Sequence, residues 1–270
     1  MKVIISHDVD HLTVCEHKKD LIVPKFLIRS LIELLLRKIS FKEYFLRFSD
    51  IIKNKWNNIL ELAEFDKLNN IPSTFFFAMN NGLGISYSIK QTEFFIKYLK
   101  ENKFDCGVHG IEFNDPNKIF TEYDNFKRIS NIENFGIRMH YLRIGKNTLE
   151  HLSKIGYLFD SSVFEDKNPY KINYIWEFPL HIMDGYVIEG KGKKWQSNNL
   201  EKSKDITIKI IDNLIKKDNK YLTILFHDRY FSDSFLTWKK WYIWLVEYLK
   251  SNNFEFISYK DAIKEMENKI

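Results

Sequence analysis

Short apolar runs alternate with longer segments of helical periodicity along most of the chain. Val3–Ile5, Ser73–Ala78, Asp105–His109, Gly136–Leu142, Ile175–Pro179, Tyr221–Phe226 and Phe254–Ser258 are too short for helices and read as buried strands. Between them, Gln91–Lys100 carries Phe94, Phe95, Tyr98 and Leu99 at helical core spacing, and Thr148–Ile155, Asp205–Lys217 and Thr237–Lys250 behave alike. Gly156 falls where a helix has to stop. Alternating β and α units predict an α/β fold with a parallel sheet, open or closed into a barrel. No internal repeat or low-complexity linker divides the sequence, and 270 residues fit one domain, 1–270.

One spacing is out of proportion. About 60 residues lie between the first two strands, far more than one crossover needs. Trp56–Leu68 reads as the ordinary crossover helix, so residues 21–55 are a helical insertion whose centre, Phe26–Lys38, is strongly apolar. Two readings stand: helices packed on the barrel, or a basic amphipathic element lying on anionic lipid.

Charge sharpens that choice. The chain has 41 Lys and Arg against 36 Asp and Glu, a net charge of +5. From Leu21 to Leu60 there are eight basic and three acidic residues, so this segment holds the whole excess. A surplus this small and this local is not the footprint of a nucleic-acid binder. Two cysteines make no disulfide framework. With a polar motif starting within ten residues of Met1 and no long uncharged apolar run, the expectation is no signal peptide, no spanning helix and a cytoplasmic protein, peripheral at the inner membrane face if 21–55 binds lipid.

Chemistry-bearing residues recur at strand ends: Asp8 and Asp10, His109, Arg138 with His140 and Arg143, Glu177, and His227 with Asp228. Residues two apart on a strand share a side, so Asp8 and Asp10 face one site. Two such acids can divide the work, one holding a metal and the other acting as base. Strand ends of a parallel barrel converge on one mouth, which makes five polar clusters hard to explain by packing. His17 and His151 read as surface residues, and His11 as a loop or capping residue.

The order of these motifs resembles the polysaccharide deacetylase superfamily, the NodB-homology fold of carbohydrate esterase family 4. Ser6-His7-Asp8-Val9-Asp10 resembles its first motif. Gly107-Val108-His109-Gly110-Ile111-Glu112-Phe113 stands at the metal-binding motif, Arg138-Met139-His140 at Arg-x-Pro, and Leu225-Phe226-His227 at the last motif. Ser73–Phe77 resembles the family's second strand, and Gly156–Ser162 its Gly-Tyr…Asp-Ser-Ser stretch. The resemblance implies a deformed (β/α)7 barrel, here with a helical insertion after the first strand, and one divalent metal, usually zinc. It implies Asp8 as general base, Asp10 and His109 as metal ligands, Arg138 orienting Asp8, and His227 as general acid. The variant in bacterial surface-polysaccharide and lipopolysaccharide biosynthesis is the nearest likeness.

The sequence departs from the family at Phe113, where a second histidine ligand belongs. A catalytic zinc takes three protein ligands. His140, two residues after Arg138, is the expected replacement, ahead of Glu112, His7 and His11. Arg143, Trp176, Glu177 and Asp184 are expected around the sugar, with Trp195 and Trp238 as further stacking candidates and Lys191–Lys194 as a lid or a solvated loop. The predicted activity is metal-dependent removal of an acetyl or formyl group from an amino sugar, nucleotide- or lipid-linked. The alternatives are an inactive binding protein on the same fold, and a hydrolase of a non-sugar amide or cyclic imide.

Overall fold

The computed structural model describes residues 1–190 and 192–268. The elements run β1 (Lys2–Val9), α1 (Ile22–Leu35), α2 (Phe41–Ile52), α3 (Ile59–Leu68), β2 (Thr74–Phe77), α4 (Ile89–Glu101), β3 (Asp105–Gly110), α5 (Pro116–Ser130), β4 (Ile137–Met139) and α6 (Thr148–Ile155). There follow β5 (Phe159–Asp160), β6 (Tyr170–Ile172), β7 (Ile175–Glu177), β8 (Ile182–Met183), α7 (Leu200–Lys216), β9 (Tyr221–Leu225), α8 (Leu236–Ser251), β10 (Glu255–Phe256) and α9 (Tyr259–Glu267). Among the described residues the strands form one sheet, ordered β6-β7-β5-β4-β3-β2-β1-β9-β8, with β10 also beside β1. Only the β6–β7 pairing is antiparallel. The sheet curls into an incomplete (β/α) barrel, the predicted architecture.

β1 is central and longer than its apolar run suggested, because Ser6 to Val9 still pair with β2. Its alternation sorts the side chains. Ile4 joins the barrel interior with Phe76, Phe159 and Tyr259, whereas Val3, Ile5 and Val9 face the helices. His7 therefore points away from the mouth. Its ring is held by the Asp66 carboxylate at 2.8 Å and the Phe226 carbonyl at 2.8 Å, so it is no ligand. The expected strand 136–142 is only Ile137–Met139, and His140–Leu142 form a 3-10 turn instead. α5 carried no recognised periodicity in the sequence; Asp115 caps its start and Pro116 opens it. Phe94 of α4 is exposed rather than core.

The insertion forms an α1–α2 hairpin with unusual polarity. Its inward side is largely polar: Ser30 and Glu33 of α1, and Glu43 and Arg47 of α2, are buried. Glu33 accepts from Arg29 at 2.9 Å and also from Arg47, whose Nε–H reaches the Ser234 carbonyl at 2.9 Å. Removing one partner of a buried pair leaves the other charge stranded. Arg47→Met should therefore cost roughly 3–5 kcal/mol, seen as a lower urea midpoint; an unchanged midpoint would mean that Arg29 alone compensates Glu33.

Candidate active site

Three histidines and three aspartates meet at the C-terminal ends of the strands. Asp8, on β1, is 2% exposed, and its Oδ1 accepts from Arg138 Nη1 at 3.1 Å. Arg138, on β4, is wholly buried, yet its guanidinium is well supplied. Nε donates to the Ser161 carbonyl at 2.9 Å, and Nη2 to Ser161 Oγ at 3.0 Å and Tyr259 Oη at 2.8 Å. Burial opposes its charge, but the electrostatics of Tyr259 and Asp8 raise its pKa further. Tyr259 comes from the first turn of α9, at the other end of the chain, and no motif marked it.

Asp10 lies one residue beyond β1. The carbonyl before it, Val9, accepts from the Tyr87 hydroxyl at 2.7 Å, and that hydroxyl accepts from the Ala78 N–H at 2.7 Å, which ties β1 to the end of β2. Asp10 Oδ1 stands 3.3 Å from His109 Nε2 and 3.4 Å from His140 Nδ1, and those nitrogens are 2.9 Å apart. The outer nitrogens fix the tautomers. His109 Nδ1 faces the Arg138 carbonyl at 3.0 Å and His140 Nε2 the Leu83 carbonyl at 3.3 Å. A carbonyl only accepts, so each outer nitrogen carries the proton. The inner nitrogens, His109 Nε2 and His140 Nδ1, then point at one place, beside a buried carboxylate oxygen that has no hydrogen-bond partner among the described residues. Such an arrangement attracts positive charge. Burial works against a proton on His109, but Asp8 and Asp10 outweigh it and raise its pKa. Ligands of a tetrahedral zinc, each about 2.0–2.1 Å from the ion, stand about 3.3 Å apart. Asp10, His109 and His140 match that spacing and fit a divalent cation.

His140 reaches this point by a route different from the one expected. The strand has ended, and Tyr141 and Leu142 both adopt positive φ, 57° and 53°. Two consecutive non-glycine residues in that region cost roughly 1–2 kcal/mol each, and such strain concentrates at functional sites. His140 opens this turn with its imidazole in the mouth, and the Tyr141 ring lies against it, centroids 4.0 Å apart and tilted by 38°. Phe113, in the place of the missing histidine, lies under the Arg143 guanidinium at 4.6 Å. Glu112 spends its carboxylate on the N–H groups of Phe113, Asn114 and Asp115 and is no ligand.

His227, two residues beyond β9, enters from the other side. Asp184 accepts from its Nδ1 at 2.9 Å and from its backbone N–H at 2.8 Å, leaving Nε2 facing Asp10 Oδ2 at 3.8 Å. Burial pushes the imidazole pKa down; Asp184, Asp10 and Asp8 overcome that and lift it to about 10.

These residues open into a cavity of about 730 Å³. Phe26, Arg29 and Ile32 of α1 form one wall; Tyr141, the π-helical turn Tyr186–Gly190, Trp195 and Tyr230 form others. Of Arg143, Trp176, Glu177 and Asp184, only Asp184 reaches the lining, and it is wholly buried with His227 as its partner. Its Oδ1 also accepts from the Gly185 N–H. Arg143 packs on Phe113 and donates to the Ile111 carbonyl. Glu177 is buried beside Asp160, and burial and that neighbour raise its pKa well above the usual carboxylate range. Trp176 donates its indole N–H to Glu267 at 3.2 Å. None of these three lines the cavity. Trp195 does, while Trp238 is buried against Tyr230. Lys193 and Lys194 line the rim, and Lys191 lies outside the described residues.

A second cluster, His11, Glu16 and His17, sits beside the first. His17 is buried, against expectation, because Asp20 holds its Nδ1 at 2.8 Å and Glu16 lies 3.1 Å from its Nε2. Burial lowers the His17 pKa, but the two carboxylates raise it more.

No family model and no curated protein matches the sequence. Solved structures do. A Mycobacterium smegmatis protein assigned as a polysaccharide deacetylase superposes with a TM-score of 0.64 at 13% identity, over 98% of this chain and 89% of that one. An allantoinase superposes with a TM-score of 0.62 at 14% identity, over 96% and 87%. A carbohydrate esterase family 4 pseudoenzyme from Bacillus anthracis gives a TM-score of 0.51 at 8% identity, over 96% and 64%. The chain thus has the NodB-like fold of the polysaccharide deacetylases, as its motifs implied.

Proposed function

We propose that the protein is a metal-dependent amidohydrolase that removes an N-acyl group, acetyl or formyl, from an amino sugar in bacterial surface-glycan assembly. The observation that carries the reading is the convergence of His109 Nε2 and His140 Nδ1 on the unpartnered Asp10 oxygen, with Asp8–Arg138 on one side and His227–Asp184 on the other. A divalent ion held by Asp10, His109 and His140, zinc by the chemistry of its donors, would supply Lewis acidity to the amide carbonyl and to water. Asp8 takes the proton from the attacking water, and Arg138 fixes the carboxylate that receives it. His227, kept protonated by Asp184, gives a proton to the departing amine nitrogen from Nε2. Burial of Arg138, Asp184 and His109 holds these groups in one geometry before substrate arrives.

The leaving group supplies a test. His227→Ala should abolish hydrolysis of an N-acetyl amino sugar while largely sparing an activated aryl acetate, because a good leaving group departs without a proton. Equal loss on both substrates would make His227 a ligand or a structural group. The likeness to an allantoinase, together with a cavity walled by α1, favours one alternative, a hydrolase of a small non-sugar amide or cyclic imide. Turnover of allantoin or another cyclic imide without turnover of N-acyl sugars would select it.

A further inference from the structure

The α1–α2 hairpin exposes an unusual share of its apolar residues. Its ion pairs face the barrel together with Phe26, while two stripes of large apolar residues face solvent. On α2, Phe41, Phe45, Phe48 and Ile52 recur at helical spacing along one stripe, exposed by 71%, 64%, 47% and 73%. On α1, Ile28, Leu31 and Leu35 form a parallel stripe, with Leu35 73% exposed. Half of the large apolar residues exposed among the described ones belong to residues 21–52. Isolated exposed leucines need no explanation, whereas two aligned stripes on neighbouring helices form a patch that water disfavours.

Within the hairpin the exposed charges are of one sign, although Lys55 pairs with Glu61 at 2.7 Å and Asp233 lies near Lys42. Among residues 21–55, Lys25, Arg37, Lys38, Lys42, Lys53 and Lys55 are exposed, whereas Glu33 and Glu43 are buried and Asp50 is half-buried. Folding has withdrawn the acids and left cations beside the apolar stripes. That combination complements an anionic lipid surface, into which an interfacial helix sinks its apolar face while lysines meet the headgroups. Among the described residues no helix is long and apolar enough to cross a membrane, so the contact is made in the plane of the interface.

We propose that the α1–α2 hairpin docks the protein on an anionic membrane surface and so sets the cavity mouth at that surface. The two sides of α1 make the connection: Leu31 and Leu35 face outward, Phe26, Arg29 and Ile32 line the cavity, and Ile28 stands at the edge, exposed and also lining the cavity. A substrate carried on a lipid would pass from the bilayer along this wall to the metal site. That consequence rests on the amidohydrolase reading above; the docking itself does not.

Co-sedimentation of the full chain with vesicles of phosphatidylcholine, with and without phosphatidylglycerol, tests the proposal without any turnover measurement. The protein is expected to sediment with phosphatidylglycerol-containing vesicles at low salt, weakly with phosphatidylcholine alone, and less as salt rises. Lys42→Gln with Lys53→Gln should weaken binding by about 25-fold, from roughly fivefold per basic residue near an anionic surface. Phe45→Ser with Phe48→Ser should abolish it while leaving the unfolding midpoint unchanged, since both side chains are solvent-facing. Absence of binding to anionic vesicles at low salt overturns the proposal, as does binding that survives both double variants. So does a stable dimer that the Phe45→Ser and Phe48→Ser changes dissociate in the absence of vesicle binding, which would assign the face to a second copy of this chain. Failure here leaves the amidohydrolase reading standing, and loss of turnover with vesicle binding intact would overturn only that reading.

Discussion

Protein purified without chelator is expected to carry one divalent ion per chain, and His140→Ala is expected to lose it. His140 Nδ1 is one of three donors gathered at the same point, with Asp10 Oδ1 and His109 Nε2. Removing a hydrogen-bond partner one shell out from a metal already costs roughly 10–100-fold in affinity, so removal of a direct ligand should cost more than about 100-fold. Turnover should fall in proportion and return only at high metal concentration. Elemental analysis of the two proteins checks this directly, with the unfolding midpoint as a control for folding. Full metal occupancy in the His140→Ala protein would assign the third position to another group and sink the view that His140 stands in for the histidine replaced by Phe113.

The second large effect belongs to Asp8. Asp8→Asn keeps an acceptor for Arg138 but removes the proton acceptor and the negative charge. A positioned general base contributes typically about 10²–10⁴-fold, and a loss of that size is expected in turnover with the metal content unchanged. Stability should also fall. The Arg138 guanidinium is wholly buried, and breaking a buried charge pair costs roughly 3–5 kcal/mol. Loss of metal along with activity would show Asp8 to be a ligand rather than the base. Unchanged stability would show that Ser161 and Tyr259 suffice to hold the arginine.

The site residues that could be read from the sequence are those on regular strands. Asp8, His109 and Arg138 lie inside β1, β3 and β4, where a period of two dictates the side each occupies. Asp10 and His227 follow strands that point at the mouth, so little further information was needed. His140 was named for an incomplete reason: it was placed on the strand of Arg138, but the strand ends at Met139 and His140 opens the turn that follows. Of the expected sugar contacts, Arg143, Trp176 and Glu177 lie away from the cavity, because a polar residue near a strand end can face the mouth, the interior or a neighbouring loop, and only packing chooses. Glu177 found Asp160, Trp176 found Glu267, and Asp184 found His227.

The sequence by itself determined the α/β class and the place of the insertion, because hydrophobic period is a local property of the chain, and its motif order, by resemblance, pointed to the barrel and to the residues that gather at the candidate metal site. Tertiary structure alone decided what lies behind those residues. Tyr259 supports Arg138 from 121 positions away, and Asp184 orients His227 across 43, separations at which a sequence holds no record of contact. It also decided the polarity of the insertion. The segment's composition shows apolar and basic residues in abundance, but which of them face water depends on where Glu33, Arg29 and Arg47 meet. Once that buried ion network is satisfied against the barrel, the apolar stripes have only the outside left to occupy.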